Sequence, residues 1–307
     1  MEDCAIMINT SLNNWYRWNY NQNDRRSSAD EKFETSFNTL SSKIKTFKDA
    51  LLFNAKSTAD FYEGKRLGVL FSGGSESELL IRLYKELGKD FIAYIFRYED
   101  DINLYDVSYA ITIAESLSVP YKVIDFNLKK FYLNDAENVS ELAQVDRPRA
   151  LPQLKFLDYF DEVAIAGASD PTWYRPSDDY SKKVEWLMCD FEHDIGWSKY
   201  IKETNRPAIM EWFKWTPEMV VGFTKSKWFY NLTNDHYYGK LGINSTKLIG
   251  YREAYPDMID RIKKTGFETV DPLIAEFEQH LATKYNGLPY RGTVTRNIDQ
   301  ILQLESQ

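Results

Sequence analysis

The sequence predicts an α/β fold: a parallel sheet with helices on both faces, preceded by an N-terminal helical arm and followed by a mostly helical C-terminal region. Three observations carry this expectation. Short apolar runs at 67–71, 91–97 and 121–126 alternate with helix-length segments at 76–87 and 105–117, the spacing of βαβ units. The run FIAYIFR at 91–97 is almost continuously apolar, as a strand buried on both faces has to be. A chain of 307 residues can also bury the core such a sheet needs, as one large domain or two modest ones.

Residues 1 to about 29 are polar and aromatic with little periodicity and read as an irregular arm. Ser28 or Asp30 is placed to cap a helix in which Phe33, Phe37, Leu40, Ile44, Phe47, Leu51 and Leu52 recur at helical spacing, ending near Gly64. The strand at 67–71 breaks at Ser72-Gly73-Gly74, and the helix at 76–87 closes at Gly88. Helix-like text from Gln153 to Tyr159 precedes a further strand, Val163 to Ala166. Right-handed crossovers then bring the strand C-termini to one edge, where ligands sit in open α/β sheets. Beyond Pro171, helix-like stretches lie at 180–191, 206–214 and 216–227, the last with Thr216 as cap and Pro217 in its first turn. The expected division is an arm and helix over 1–64, an α/β domain over 65–175, and a mostly helical covering region over 176–307.

Hydrophobic content of 43% and charged content of 27% are those of an ordinary globular protein. No apolar run reaches the roughly 18 residues of a membrane span. The N-terminus, MEDCAIMINTSLNN, lacks the pattern of a secretory signal, so the expected compartment is the cytoplasm. Cys4 and Cys189 cannot form a disulfide framework or a multi-cysteine zinc site. His193, His236 and His280 share no metal-ligand interval, and Glu192-His193-Asp194 and Asn234-Asp235-His236 read as surface turns. A net charge of −8 argues against a broad nucleic-acid footprint. The 15% aromatic content reads first as a large aromatic core and second as a stacking platform.

The segment LGVLFSGGSESELL, Leu67 to Leu80, joins a buried strand to a helix through a glycine turn. Glycines let the backbone approach an anion, and a helix start offers free N–H groups and partial positive charge. The hydroxyls of Ser72, Ser75 and Ser77 can add to a phosphate cradle, and Glu76 beside it can hold Mg²⁺ or simply favour the helix dipole. The terminal Gly-Lys-Ser/Thr of a Walker A loop is absent, and so is GxGxxG.

Ser72-Gly73-Gly74-Ser75-Glu76-Ser77 resembles the PP-loop of the ATP pyrophosphatases, the adenine nucleotide alpha-hydrolase (HUP/PP-loop) group, whose pattern is SGGxDS. Glu76 stands where Asp is usual. The stretch from Asn103 to Asp106, followed by SYAITIAESLSVPYKVIDF, looks like the synthetase domain of asparagine synthetases, with Ala110, Ala114, Glu115 and Leu117 fitting its helix. VAIAGASD, Val163 to Asp170, sits where that family carries SGxGxDE. Gly167, Ser169 and Asp170 match, while Ala166 and Pro171 replace Ser and Glu. The resemblance covers about 65–175.

The resemblance implies that ATP activates a substrate carboxylate as an acyl-adenylate with release of pyrophosphate, and that an amine then displaces AMP. It implies that Ser72, Gly73, Gly74, Ser75 and Ser77 hold phosphates, that Glu76 and Asp170 are catalytic acids and magnesium ligands, and that Phe71, Phe96 and Gly167 contact adenosine. Asp170 is equally an Asp-Pro turn. A cation must offset charge on the departing pyrophosphate; Lys182, Lys240 and Lys247 are candidates, with Lys247 preferred. Arg147 and Arg149 could bind a carboxylate bidentately. No glutaminase domain fits into the first 65 residues or so, and Cys4 lies too far in to be its nucleophile. Ammonia, another amine or a separate glutaminase would therefore supply nitrogen. The expectation is an ATP- and Mg²⁺-dependent amide-forming ligase acting on a small molecule, with no membrane or nucleic-acid partner. The rivals are a nucleobase-modifying PP-loop enzyme and a catalytically silent nucleotide-binding protein.

Overall fold

A computed structural model describes residues 16–20, 23–28, 30–168, 172–174, 187–234, 243–285 and 292–305. Strand β1 (Tyr16–Tyr20) pairs antiparallel with β2 (Phe33–Phe37), Tyr20 opposite Phe33. The helix expected from Ser28 or Asp30 therefore does not begin there. Tyr16, Trp18 and Tyr20 are buried with period two, a strand signal inside what read as an irregular arm. Cross-strand packing overrides the helical spacing of Phe33 and Phe37. Helix α1 (Phe47–Phe61) starts only after Thr46, which closes a capping box with Asp49.

The alternation that follows matches the expected boundaries to within one residue: β3 (Leu67–Leu70), α2 (Ser75–Glu86), β4 (Phe91–Tyr98), α3 (Leu104–Ser116) and β5 (Tyr121–Phe126). Next come α4 (Leu128–Asn134), α5 (Ala136–Ala143), α6 (Leu151–Phe156) and β6 (Val163–Ile165). The rest comprises β7 (Thr172–Tyr174), β8 (Leu187–Phe191), α7 (Gly196–Thr204), β9 (Ala208–Ile209), α8 (Pro217–Thr224), α9 (Lys227–Asn234), α10 (Ile243–Ala254), α11 (Asp271–Lys284), β10 (Thr293–Asn297) and α12 (Ile298–Leu302).

The C-terminal half is rich in helices, with two corrections. The stretch read as helix at 180–191 ends in strand β8, the middle of an antiparallel sheet β10–β8–β7. The stretch at 206–214 supplies β9, the edge strand of the main sheet, because Ala208 and Ile209 pair with Ala164 and Ile165. Thr216 does cap α8, its side chain accepting from Met219 N.

The main sheet has five parallel strands in the order β5–β4–β3–β6–β9. Along β4, Ile92, Tyr94, Phe96 and Tyr98 enter one core with α4 to α7 and α11. Phe91, Ala93 and Ile95 enter the opposite core with α1, α2, α3, α8 and α10. Burial on both faces is why this strand carries apolar side chains in both registers. Among the described residues, no helix is long and apolar enough to cross a membrane.

Candidate functional site

From β3 the chain turns one way into β4 and later the other way into β6, so the C-terminal edge has a switch point between β3 and β6, where crossover helices leave opposite faces. A cleft of about 340 Å³ opens there. Phe71, Ser72, Phe96, Gly167, Gln153 and Lys263 are among its lining residues. A second recess of about 190 Å³ lies across the loop and shares Glu76 and Lys263 with the first.

Gly73 takes φ +70°, and a Cβ there would meet Arg261 Nη2 at 2.9 Å and Asp106 O at 3.0 Å, so both conformation and space demand glycine. Gly74 is the cap residue of α2 and offers no side-chain cap. The first-turn N–H groups thus lack a side-chain acceptor and suit an anion. Ser77 is 7% exposed, and its hydroxyl donates to Gly74 O at 2.9 Å, which spends it on holding the turn. Ser72 Oγ faces Lys263 Nζ at 3.1 Å, and Ser75 Oγ donates to Glu76 Oε2 at 3.2 Å.

Lys247, on α10, places Nζ 3.6 Å from Glu76 Oε1. Phe71 and Phe96 are buried at the ends of β3 and β4, and Gly167 packs against the Glu76 main chain. Structure thus gathers Phe71, Ser72 to Ser77, Phe96, Gly167 and Lys247 around one strand edge. Asp170, Ser169, Lys182, Lys240 and His236 lie outside the described residues. Arg147 lines neither recess, and Arg149 pairs with Asp271. His193 stacks on Phe191 and contacts Asp194, while His280 is exposed beside Glu137.

The segment 257–266 supplies residues the sequence reading passed over. Arg261 donates to Gly73 O through Nε (3.1 Å) and Nη2 (2.6 Å), pairs with Asp106 at 2.6 Å, and lies 4.1 Å over the Tyr109 ring. Lys264 N also donates to Asp106 Oδ1, at 3.0 Å. Lys263 is accessible to solvent yet stands in a concave mouth with protein on most sides. That partial desolvation lowers its pKa, against the opposing pull of Asp106 and Glu76. The available signal was the basic cluster Arg261-Ile262-Lys263-Lys264 shortly after a helix. Its distance of almost 200 residues from the glycine turn hid the connection.

Beside the cleft, Gly167 and Glu211 form an antiparallel bridge. Glu211 faces a buried ionic group: Lys214 contacts Asp190 at 3.0 Å and Asp194 at 3.3 Å, and Arg296 pairs with Asp190. Burial, then the neighbouring Asp194 and Asp190, push the Glu211 carboxyl up to about 8 despite Lys214. No cluster of three metal-ligating side chains occurs among the described residues. Glu76 alone suits a magnesium ion that takes its other ligands from phosphate and water.

No family model and no curated protein matches the chain. Solved structures overlap it in part. NMN synthetase from Francisella tularensis shares 17% identity over 40% of this chain and 53% of its own, with a TM-score of 0.30. A glutamine-dependent NAD+ synthetase from Acinetobacter baumannii, solved with ADP, shares 15% over 46% of this chain and 31% of its own, TM-score 0.30. A predicted subunit of tRNA methyltransferase from Methanocaldococcus jannaschii shares 16% over 77% and 94%, TM-score 0.34. The chain thus spans about half of the first and a third of the second.

Proposed function

We propose that the protein is an ATP pyrophosphatase-type synthetase that adenylates a small substrate, most simply a carboxylate, and passes it to ammonia or an amine. One observation carries this reading: the uncapped start of α2, Glu76, Lys247 and Lys263 converge on one glycine turn at the sheet's switch point. The turn's N–H groups and Ser72 hold the β/γ-phosphates. Lys263 and Lys247 offset the charge that builds on pyrophosphate as it leaves. Magnesium, when bound with ATP, adds Lewis-acid polarisation of the phosphates, and Glu76 is the residue to hold it. The apolar lobe at Phe71, Phe96 and Gly167 takes adenosine. The asparagine synthetase-like pattern at 103–126 supports an acyl-adenylate route to an amide. Free ammonia, an amine or a glutaminase partner supplies the nitrogen.

The test is pyrophosphate release from ATP and Mg²⁺ with ammonia and a panel of amino acids, beside Glu76→Ala. Release that depends on one carboxylate and vanishes in the variant is the expected result. ATP binding with no release under any combination would replace the ligase by a silent nucleotide-binding protein.

A further inference from the structure

Resting on the nucleotide assignment above, we propose that Gln153 reads the nucleobase and selects adenine over guanine by a bidentate contact to N6 and N7. With the phosphates on the turn, the base falls into the lobe formed by Phe96, Tyr98, Phe156 and Phe267. Phe96 stacks on Phe156 at 3.8 Å, and Tyr98 meets Phe267 edge-on at 5.9 Å. Such walls supply contact area to any base and discriminate little.

Discrimination needs a polar group with spare capacity, and most in this lobe are spent. The Asn103 amide accepts from Tyr98 N at 2.8 Å and donates to Phe96 O at 2.9 Å. Thr265 Oγ1 accepts from Phe267 N. Gln153 lines the cleft, and its amide has no hydrogen-bond partner among the described residues. It is carried by α6, whose Leu151, Leu154 and Phe156 are buried and fix the helix in place. A carboxamide offers one acceptor and one donor side by side. That matches adenine, whose N6 donates and N7 accepts; on guanine the same edge shows two acceptors, O6 and N7. The glutamine oxygen would then face O6 and lose that bond.

The experiment measures binding of ATP, GTP, 7-deaza-ATP and inorganic pyrophosphate to the full chain and to Gln153→Ala. A good bidentate pair is worth about 1–3 kcal/mol, so the wild type should prefer ATP to GTP and to 7-deaza-ATP by about fivefold or more. Gln153→Ala should erase both preferences and leave pyrophosphate binding unchanged. An unchanged ATP/GTP ratio in the variant overturns the proposal, and so does loss of pyrophosphate binding, which would mark a structural role. A wild type that binds neither ATP nor pyrophosphate overturns the nucleotide assignment itself, a distinct outcome.

Discussion

Arg261 places Nη1 2.6 Å from Asp106 Oδ1 while its Nε and Nη2 donate to Gly73 O. The two side chains are 11% and 5% exposed, so the pair is largely desolvated. One guanidinium thereby ties three separate pieces of chain, the 257–266 segment, the start of α3 and the glycine turn. The turn's shape depends on residues that are remote in sequence.

Arg261→Ala leaves Asp106 buried without its counter-ion, with the Lys264 N–H still donating to it, and breaking a buried pair costs about 3–5 kcal/mol. The same change frees the Gly73 carbonyl, so nucleotide affinity should fall with stability. Asp106→Ala should do less further damage in the Arg261→Ala background than alone. A double-mutant cycle by denaturant unfolding checks this. Additivity within about 0.5 kcal/mol would mean that the pair contributes no coupling.

Lys263 is exposed, so Lys263→Ala should leave the unfolding midpoint unchanged. Turnover should nevertheless fall by about 10²–10³, the usual loss when a charge-stabilising donor is removed. In the proposed reaction the protonated amine is the working form, and its pKa is lowered by partial desolvation. Activity should therefore decline as pH rises through a value below that of an ordinary lysine. In Lys263→Arg, whose guanidinium stays charged, the alkaline limb should move to higher pH. A pH–rate profile with the same limb in both proteins rules out Lys263 as its source.

The central sheet was legible because βαβ text is local. Strand, turn and helix signals sit within 15 residues of one another, and β4 shows its double burial in its own letters. The hairpin at Tyr16–Tyr20 was misread since Phe33 and Phe37 satisfy both a helical and a strand spacing; what decides is their pairing with Tyr20 and Tyr16. The two residues of β9 carry too little text to announce a strand, and only Ala164 and Ile165 beside them make one. At the site, the glycine turn was readable from its motif; Lys247 was one of three candidate lysines, and only the fold brings it within 3.6 Å of Glu76. Arg261 and Lys263 were not, because their approach to the glycine turn is a tertiary contact across 188 residues or more that no local pattern announces.

Gly266 holds φ +74°, and an added Cβ would collide with the side chain and carbonyl of Ile102. Gly266→Ala should force the 257–266 segment away from α3, costing about 1–3 kcal/mol for strain. Lys263 moves with that segment, so pyrophosphate affinity should drop as well. Measuring both on one preparation separates the effects. Lost stability with intact pyrophosphate binding would show that Lys263 does not depend on this anchor.

Glu211 offers a test of the buried ionic group through pH. Burial works against ionisation of Asp190 and Asp194, but Lys214 outweighs it and holds both below the ordinary aspartate value, Asp194 at about 2. Lys214 and Arg296 already balance those two charges, so a third carboxylate has no counterion. Glu211 accordingly stays protonated up to about pH 8 when folded, against an ordinary value of 4.5. A folded pKa raised this way leaves stability intact below about 4.5, where both states hold the proton. As pH rises to about 8, the unfolded chain gains by ionising while the folded one does not, and stability falls. The loss should be on the order of 2–4 kcal/mol after relaxation of the buried site. Glu211→Gln keeps the shape and removes the ionisable group, so it should flatten this slope and exceed the wild type in stability at pH 9. Denaturant midpoints at pH 5, 7 and 9 decide the matter; parallel slopes in the two proteins would place the titrating group elsewhere.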